Sequence, residues 1–224
     1  GNAVGMALAE KILSAKFNQA DGLKPIDHYT YAFLGDGCLM EGISHEVCSF
    51  AGTHKLGKLI CFYDQNGISI DGEITNWFTD NTVQRFASYN WQVLEVDGHN
   101  VEQILEAIKN AQEESNQPTL ICCKTKIGFG SPNKAGTSGV HGSPLGDEEI
   151  AKTRNQLGWE HEPFDIPANI KSQWDARDSG SKHNSDWDML MKEYSIIHPE
   201  LFNELERLIN NELPNDFEKR YVEF

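Results

Sequence analysis

Residues 31–42 read YAFLGDGCLMEG, and residue types change along them in the order strand, turn, helix. HYTYAFL (28–34) is short, aromatic and bounded by glycine, which predicts a buried strand. Gly35-Asp36-Gly37 breaks the run. A helix is then predicted over 40–55, with Ile43, Val47 and Phe50 on one face and Gly57 as its stop. Asp36 thus belongs at the carboxyl end of a strand, in a polar crevice. A helix beginning near Cys38 would add unpaired N–H groups and the positive end of its dipole.

Working outward, the alternation repeats. KLICFYD (58–64), WQVLEV (91–96) and TLICCKTKI (119–127) read as further strands. Val4, Leu8, Ile12 and Leu13 form a helical stripe over 2–17, and Asn100 opens VEQILEAIKNAQEES with a cap-like Asn and Gln103 three residues on. Strands apolar nearly throughout, separated by helices of this length, predict an α/β fold whose parallel sheet is covered by helices on both faces. Ligands of such sheets sit at the carboxyl ends of the strands.

From about residue 128 the texture changes to GFGSPNKAGTSGVHGSPLG, a Gly/Ser/Pro loop of a length that in a compact domain is functional or disordered. The tail is polar and helical in parts, with PELFNELERLINNEL (199–213) amphipathic. The expected division is a binding domain over 1–170 and a helical extension over 171–224. The opening GNAVGMALAEKILSAKF lacks an initiator Met and reads as a helix already under way, so the chain is expected to be a piece of a longer protein.

The 224 residues carry 19 Lys and Arg against 34 Asp and Glu, a net charge of −15 that repels nucleic-acid backbones and anionic lipid. Neither nucleic acid nor membrane is an expected partner; no apolar run approaches the roughly 18 residues that span a bilayer. Five cysteines, odd in number and without a C-x-x-C pair, suggest neither a disulfide framework nor a thiolate zinc site. A reducing, cytoplasmic setting fits them.

Thirty positions after Asp36, Asn66 follows the next strand in FYDQNGISIDG. Two strand ends side by side can bring a carboxylate, an amide oxygen and a backbone carbonyl to one point. That hard-oxygen set suits Mg²⁺ or Ca²⁺ still needing ligands from a phosphate, and a diphosphate bridged through the cation satisfies metal and helix end together. Standing alone, each of these stretches is more often a plain turn; at matching strand ends the metal site is favoured. Three other patterns fail on inspection. GTHKLGKL (52–59) approaches a P-loop but has Leu59 where a hydroxyl is required and precedes a strand. GFGSPN (128–133) ends in Asn133 and opens no helix. SHEVC (44–48) begins like H-E-x-x-H but continues to Ser49, which makes His45 and Glu46 solvated or core-edge helix residues.

Taken together, YAFLGDGCLMEGISHEVCSFAG, FYDQNGISIDG, WFTD, CKTKIGFGSPNKAG, HGSPLG and LGWEHEPFDIP resemble the transketolase family, in particular its thiamine diphosphate binding N-terminal domain. The likeness runs from the first residue to about 170 and more loosely beyond, where LPNDF resembles the approach to the family's next domain. The resemblance implies reversible transfer of a two-carbon ketol unit from a ketose phosphate to an aldose phosphate, in a homodimer, with thiamine diphosphate and Mg²⁺ (or Ca²⁺) as cofactors. It implies Asp36, Asn66 and the Ile68 carbonyl as metal ligands, Gly37 and Asn66 against the diphosphate, and His141 as a residue touching cofactor and donor ketose. Glu41 and Glu46 match acidic residues of a network between the family's paired sites; the bland reading is exposed helix glutamates. The Glu that activates the cofactor and the basic groups that hold the sugar phosphate have no match here. Other thiamine diphosphate carboligases, such as dihydroxyacetone synthase, and a non-catalytic cofactor-binding fragment are the alternative readings.

Overall fold

The structure, a computed structural model, describes residues 1–223, so Phe224, the last residue of the expected extension, lies outside it. The chain forms two compact units, one of Gly1–Ala9 with His28–Pro163 and one of Glu10–Asp27 with the residues from Phe164 onward.

The first unit is built on a parallel four-stranded sheet, in the order β1 (Thr30–Gly35), β2 (Leu59–Gln65), β6 (Thr119–Lys124), β5 (Gln92–Asp97). A small antiparallel hairpin, β3 (Ile68–Ser69) with β4 (Gly72–Glu73), follows β2. The two central strands are buried on both faces, which is why they read as unbroken apolar runs. Side chains alternate across the sheet with period two. Leu59, Cys61 and Tyr63 of β2 and Leu120 and Cys122 of β6 face one core, shared with α2 (Asp36–Met40), α3 (Gly42–Thr53) and α4 (Thr82–Ser88). Ile60, Ile121 and Cys123 face a second core closed by Ala107 and Ala111 of α5 (Val101–Glu113). At the edge strand β1 the pattern loosens: Phe33 is 81% exposed and stacks on Phe62 at 4.9 Å.

Several expected stripes shift. α3 buries Cys48, Ala51 and Gly52, while Ile43 and Phe50 are exposed and Val47 is half-buried. The reason is close packing. The buried face lies against the Tyr89–Trp91 turn, where only small side chains fit, and Trp91 Nε1 donates to the Cys48 carbonyl at 2.8 Å. The helix ends at Thr53 and not at Gly57. In α1 (Asn2–Phe17), Val4, Ala7 and Phe17 are buried and Ile12 is exposed. The Asn100 cap forms as expected, its side chain accepting the Gln103 N–H at 3.1 Å; Gln103 Oε1 reaches back to the Asp97 N–H at 2.9 Å, short of closing the box on the cap residue itself. All five cysteines are free. Burial pushes the thiols of Cys48 and Cys122 up to about 11 and about 12, so they stay protonated and serve as apolar filling.

The second unit is helical, with α7 (Ala168–Trp174), α8 (Arg177–Ile197), α9 (Pro199–Ile209) and α10 (Phe217–Glu223). Its core joins Phe17 to Met191 and Leu205, and Tyr194, fully buried, donates its hydroxyl proton to the Phe17 carbonyl at 2.7 Å. Among the described residues no helix is long and apolar enough to cross a membrane.

Candidate functional site

β1 and β2 pair with Gly35 opposite Asp64, so the turns that follow them leave the sheet at the same end. Gly35, in extended backbone, caps α2, and Asp36 is the first helical residue. The helix therefore begins at Asp36 and not near Cys38, and it runs only to Met40. Glu41, in extended conformation, interrupts it before α3 starts at Gly42.

The turn after β2 is set by Asn66-Gly67. Gly67 has φ +72, a left-handed backbone that glycine adopts without a Cβ clash, and the Asn66 side-chain oxygen accepts the Ile68 N–H at 2.9 Å. This turn and Asp36 are bonded directly. One carboxylate oxygen of Asp36 accepts the Gly67 N–H at 2.9 Å and the other accepts the Tyr63 hydroxyl. Asp36 is 2% exposed, so it sits inside the protein and not in an open crevice. Its charge is compatible with burial because both oxygens are hydrogen-bonded. The donor is durable: burial, with the Asp36 carboxylate second, pushes the Tyr63 phenol well above its ordinary value.

Asn66 is held at both ends. Its amide nitrogen donates to Asp64 at 3.3 Å, and Asp64 in turn accepts the Thr125 hydroxyl. Orientation of the carboxamide, which decides whether oxygen or nitrogen faces a ligand, is thereby fixed. Asp36, Asn66, Gly67 and Ile68 thus form one hydrogen-bonded group at the end of β1 and β2.

The donor set of this group is oxygen. Among the described residues no three His, Cys, Asp or Glu side chains gather as a metal cluster. A carboxylate with about four lone-pair sites, two of them used, and an amide oxygen match a hard divalent cation that takes its remaining ligands from phosphate and water. Gly37, next along α2, is exposed, and a Cβ added there would meet nothing within 4 Å. Its backbone is open to a ligand.

His141 lies on the loop 125–146, which leaves the sheet from β6, the neighbour of β2. The residue follows a 3₁₀ turn, Ser138–Val140, and is exposed. Glu41 and Glu46 are exposed as well. His45 is half-buried, its ring within 3.1 Å of the Tyr89 hydroxyl and 3.4 Å of Arg85, and so works as a brace between α3 and α4. Sequence reading missed Tyr63 and Asp64 as partners of the group. A usable signal existed for Tyr63: alternation puts it on the buried face with Leu59 and Cys61, and a buried tyrosine hydroxyl needs an acceptor.

A family model for the transketolase thiamine diphosphate binding domain matches residues 1–214. Transketolase 1 of Escherichia coli K12 is 55% identical over 224 residues, which is 100% of this chain and 34% of that protein. Transketolase 1 of Pasteurella multocida is 58% identical over 214 residues, 95% of this chain and 32% of that protein. Among solved structures, the transketolase of Pichia stipitis in complex with sedoheptulose-7-phosphate superposes with a TM-score of 0.92 at 40% identity, covering 97% of this chain and 32% of its own. The transketolase of Leishmania mexicana does so with a TM-score of 0.92 at 36% identity, covering 97% and 33%. The chain spans about a third of the length of these relatives. With its parallel sheet and strand-end oxygen group, this chain belongs to the transketolase family, whose thiamine diphosphate binding domain it matches over nearly all its length.

Proposed function

We propose that this chain is the diphosphate and metal clamp of a transketolase. Asp36, Asn66 and the Ile68 carbonyl ligate Mg²⁺, with Ca²⁺ an acceptable substitute for a hard-oxygen set. Gly37 and Asn66 lie against the diphosphate. The observation that carries the reading is the 2.9 Å bond from the Gly67 N–H to Asp36, which joins two motifs 31 residues apart into one donor group. Gly37 adds support: its backbone is helical and its Cβ position is open, so nothing in the chain demands glycine there, whereas a closely approaching phosphate would.

Within the full-length protein the activity is reversible transfer of a two-carbon ketol unit between sugar phosphates, in a cytoplasmic homodimer. Thiamine diphosphate, when bound, supplies the electron sink that lets the bond beside a ketose carbonyl break. The residues of this chain bind and orient it. The relatives support the substrate class, one having been solved with sedoheptulose-7-phosphate. The net charge of −15 supports a reading in which cationic groups outside this chain hold the sugar phosphate.

His141 touches the donor ketose as well as the cofactor. His141→Ala in the full-length protein is then expected to lower turnover by about 100-fold, within the range for a positioned acid–base or hydrogen-bonding group, while cofactor affinity changes much less. Steady-state kinetics beside a thiamine diphosphate titration separates the two. An equal loss in both, reversed by excess cofactor, would reduce His141 to a diphosphate anchor.

A further inference from the structure

The loop that carries His141 lacks regular structure over most of its length, yet it is fastened at its base. Glu149, in the first turn of α6 (Asp147–Gln156), is 6% exposed and receives three hydrogen bonds. One oxygen accepts the Ser131 hydroxyl and the Asn133 N–H at 2.8 Å; the other accepts the Asn133 side-chain amide at 2.8 Å. Ser131, itself 5% exposed, accepts the Lys134 N–H at 3.1 Å, and Lys134 Nζ donates to the Leu145 carbonyl at 2.6 Å. The segment from Ser131 to Glu149 is thus closed into a ring, and His141, exposed, lies within it between Lys134 and Leu145.

We propose that Glu149 is a positioning residue for His141, holding the loop's base so that the imidazole is presented from a fixed arc. The proposal rests on the role given to His141 above. Its physical content is that a carboxylate is the one group matched to three converging donors; an amide at the same place would turn an N–H₂ toward at least one of them. Hydrogen bonds from Ser131 first, and then from Asn133, hold the Glu149 carboxyl down at about 2, against an ordinary value near 4.5. A carboxylate with a depressed value contributes stability that is fully present above the unfolded value and lost as pH falls through the folded one. The fastening therefore holds at neutral pH and loosens only between about 4.5 and about 2.

The test is a double-mutant cycle in the full-length protein with Glu149→Gln and His141→Ala, read as turnover per folded enzyme at saturating thiamine diphosphate. A 1 Å displacement of a positioned group costs on the order of 100-fold. Glu149→Gln is accordingly expected to lower turnover by about 10- to 100-fold alone, and to have little further effect once His141 is alanine. An equal factor in both backgrounds, or unchanged turnover in Glu149→Gln, overturns the proposal. If His141→Ala is itself without effect, the role of His141 fails instead, and the cycle shows which of the two has failed. Asn133→Ala removes the side-chain amide, one of the three donors, from the opposite side and leaves the backbone N–H of residue 133 in place. It gives the same cycle if Glu149→Gln does not fold, and it must show the same dependence on His141.

Discussion

Asp36→Asn in the full-length protein is expected to abolish metal-dependent thiamine diphosphate binding, with a loss of at least about 100-fold in affinity. Partners one shell out from a metal commonly cost about 10- to 100-fold when removed, and a charged ligand is worth more than such a partner. The substitution leaves volume and burial unchanged and removes the one carboxylate of the proposed donor set. Asparagine is also a cleaner probe than alanine. Asp36 is 2% exposed and accepts from Tyr63 and Gly67, so alanine would leave two buried donors without an acceptor, at about 1–3 kcal/mol for each such group. Asparagine retains one acceptor. Calorimetric titration of thiamine diphosphate at fixed Mg²⁺, beside the melting temperature of the same sample, checks it. Wild-type affinity in a folded Asp36→Asn protein would remove Asp36 from the metal site.

How far the sequence leads here depends on what each residue answers to. Strands β2 and β6 were legible because centrality in a parallel sheet demands apolar side chains on both faces, and Ile60, Cys61, Ile121 and Cys122 satisfy that without interruption. The turns at Asp36 and Asn66 were legible because each is a polar residue placed where a strand stops, and the structure joins those two turns through the Gly67 N–H and Asp36. The α3 stripe was misread for a geometric reason. Period counting assigns the largest apolar side chains to the interior, but the space under α3 admits only Cys48, Ala51 and Gly52. The Glu149 closure was invisible, since its donors sit 16 and 18 positions away in a loop with no period at all. Only the folded chain makes them neighbours.

Two glycines carry opposite expectations, and together they separate folding from ligand binding. A Cβ built on Gly52 would lie 1.7 Å from the Tyr89 carbonyl oxygen and 3.3 Å from Trp91. Those first atoms are backbone, fixed at the end of α4 by Asn90 at φ 64 and by the Trp91 side chain bonded to Cys48. Relief would require α3 to withdraw from the Tyr89–Trp91 turn. Overpacking costs about 1–3 kcal/mol where side chains can give, and more where they cannot, so Gly52→Ala is expected to destabilise by about 3 kcal/mol or more. The gain of about 1 kcal/mol from replacing a helical glycine by alanine does not offset this. At Gly37 the same helical gain applies with nothing within 4 Å of the new methyl. Gly37→Ala is therefore expected to hold or slightly raise the denaturant midpoint while weakening thiamine diphosphate binding by about tenfold or more, because the methyl occupies the approach of the diphosphate to the backbone. A wild-type midpoint for Gly52→Ala would contradict the close contact of α3 with the Tyr89 turn. Unchanged cofactor affinity for Gly37→Ala would mean that the diphosphate lies elsewhere along the sheet's carboxyl edge.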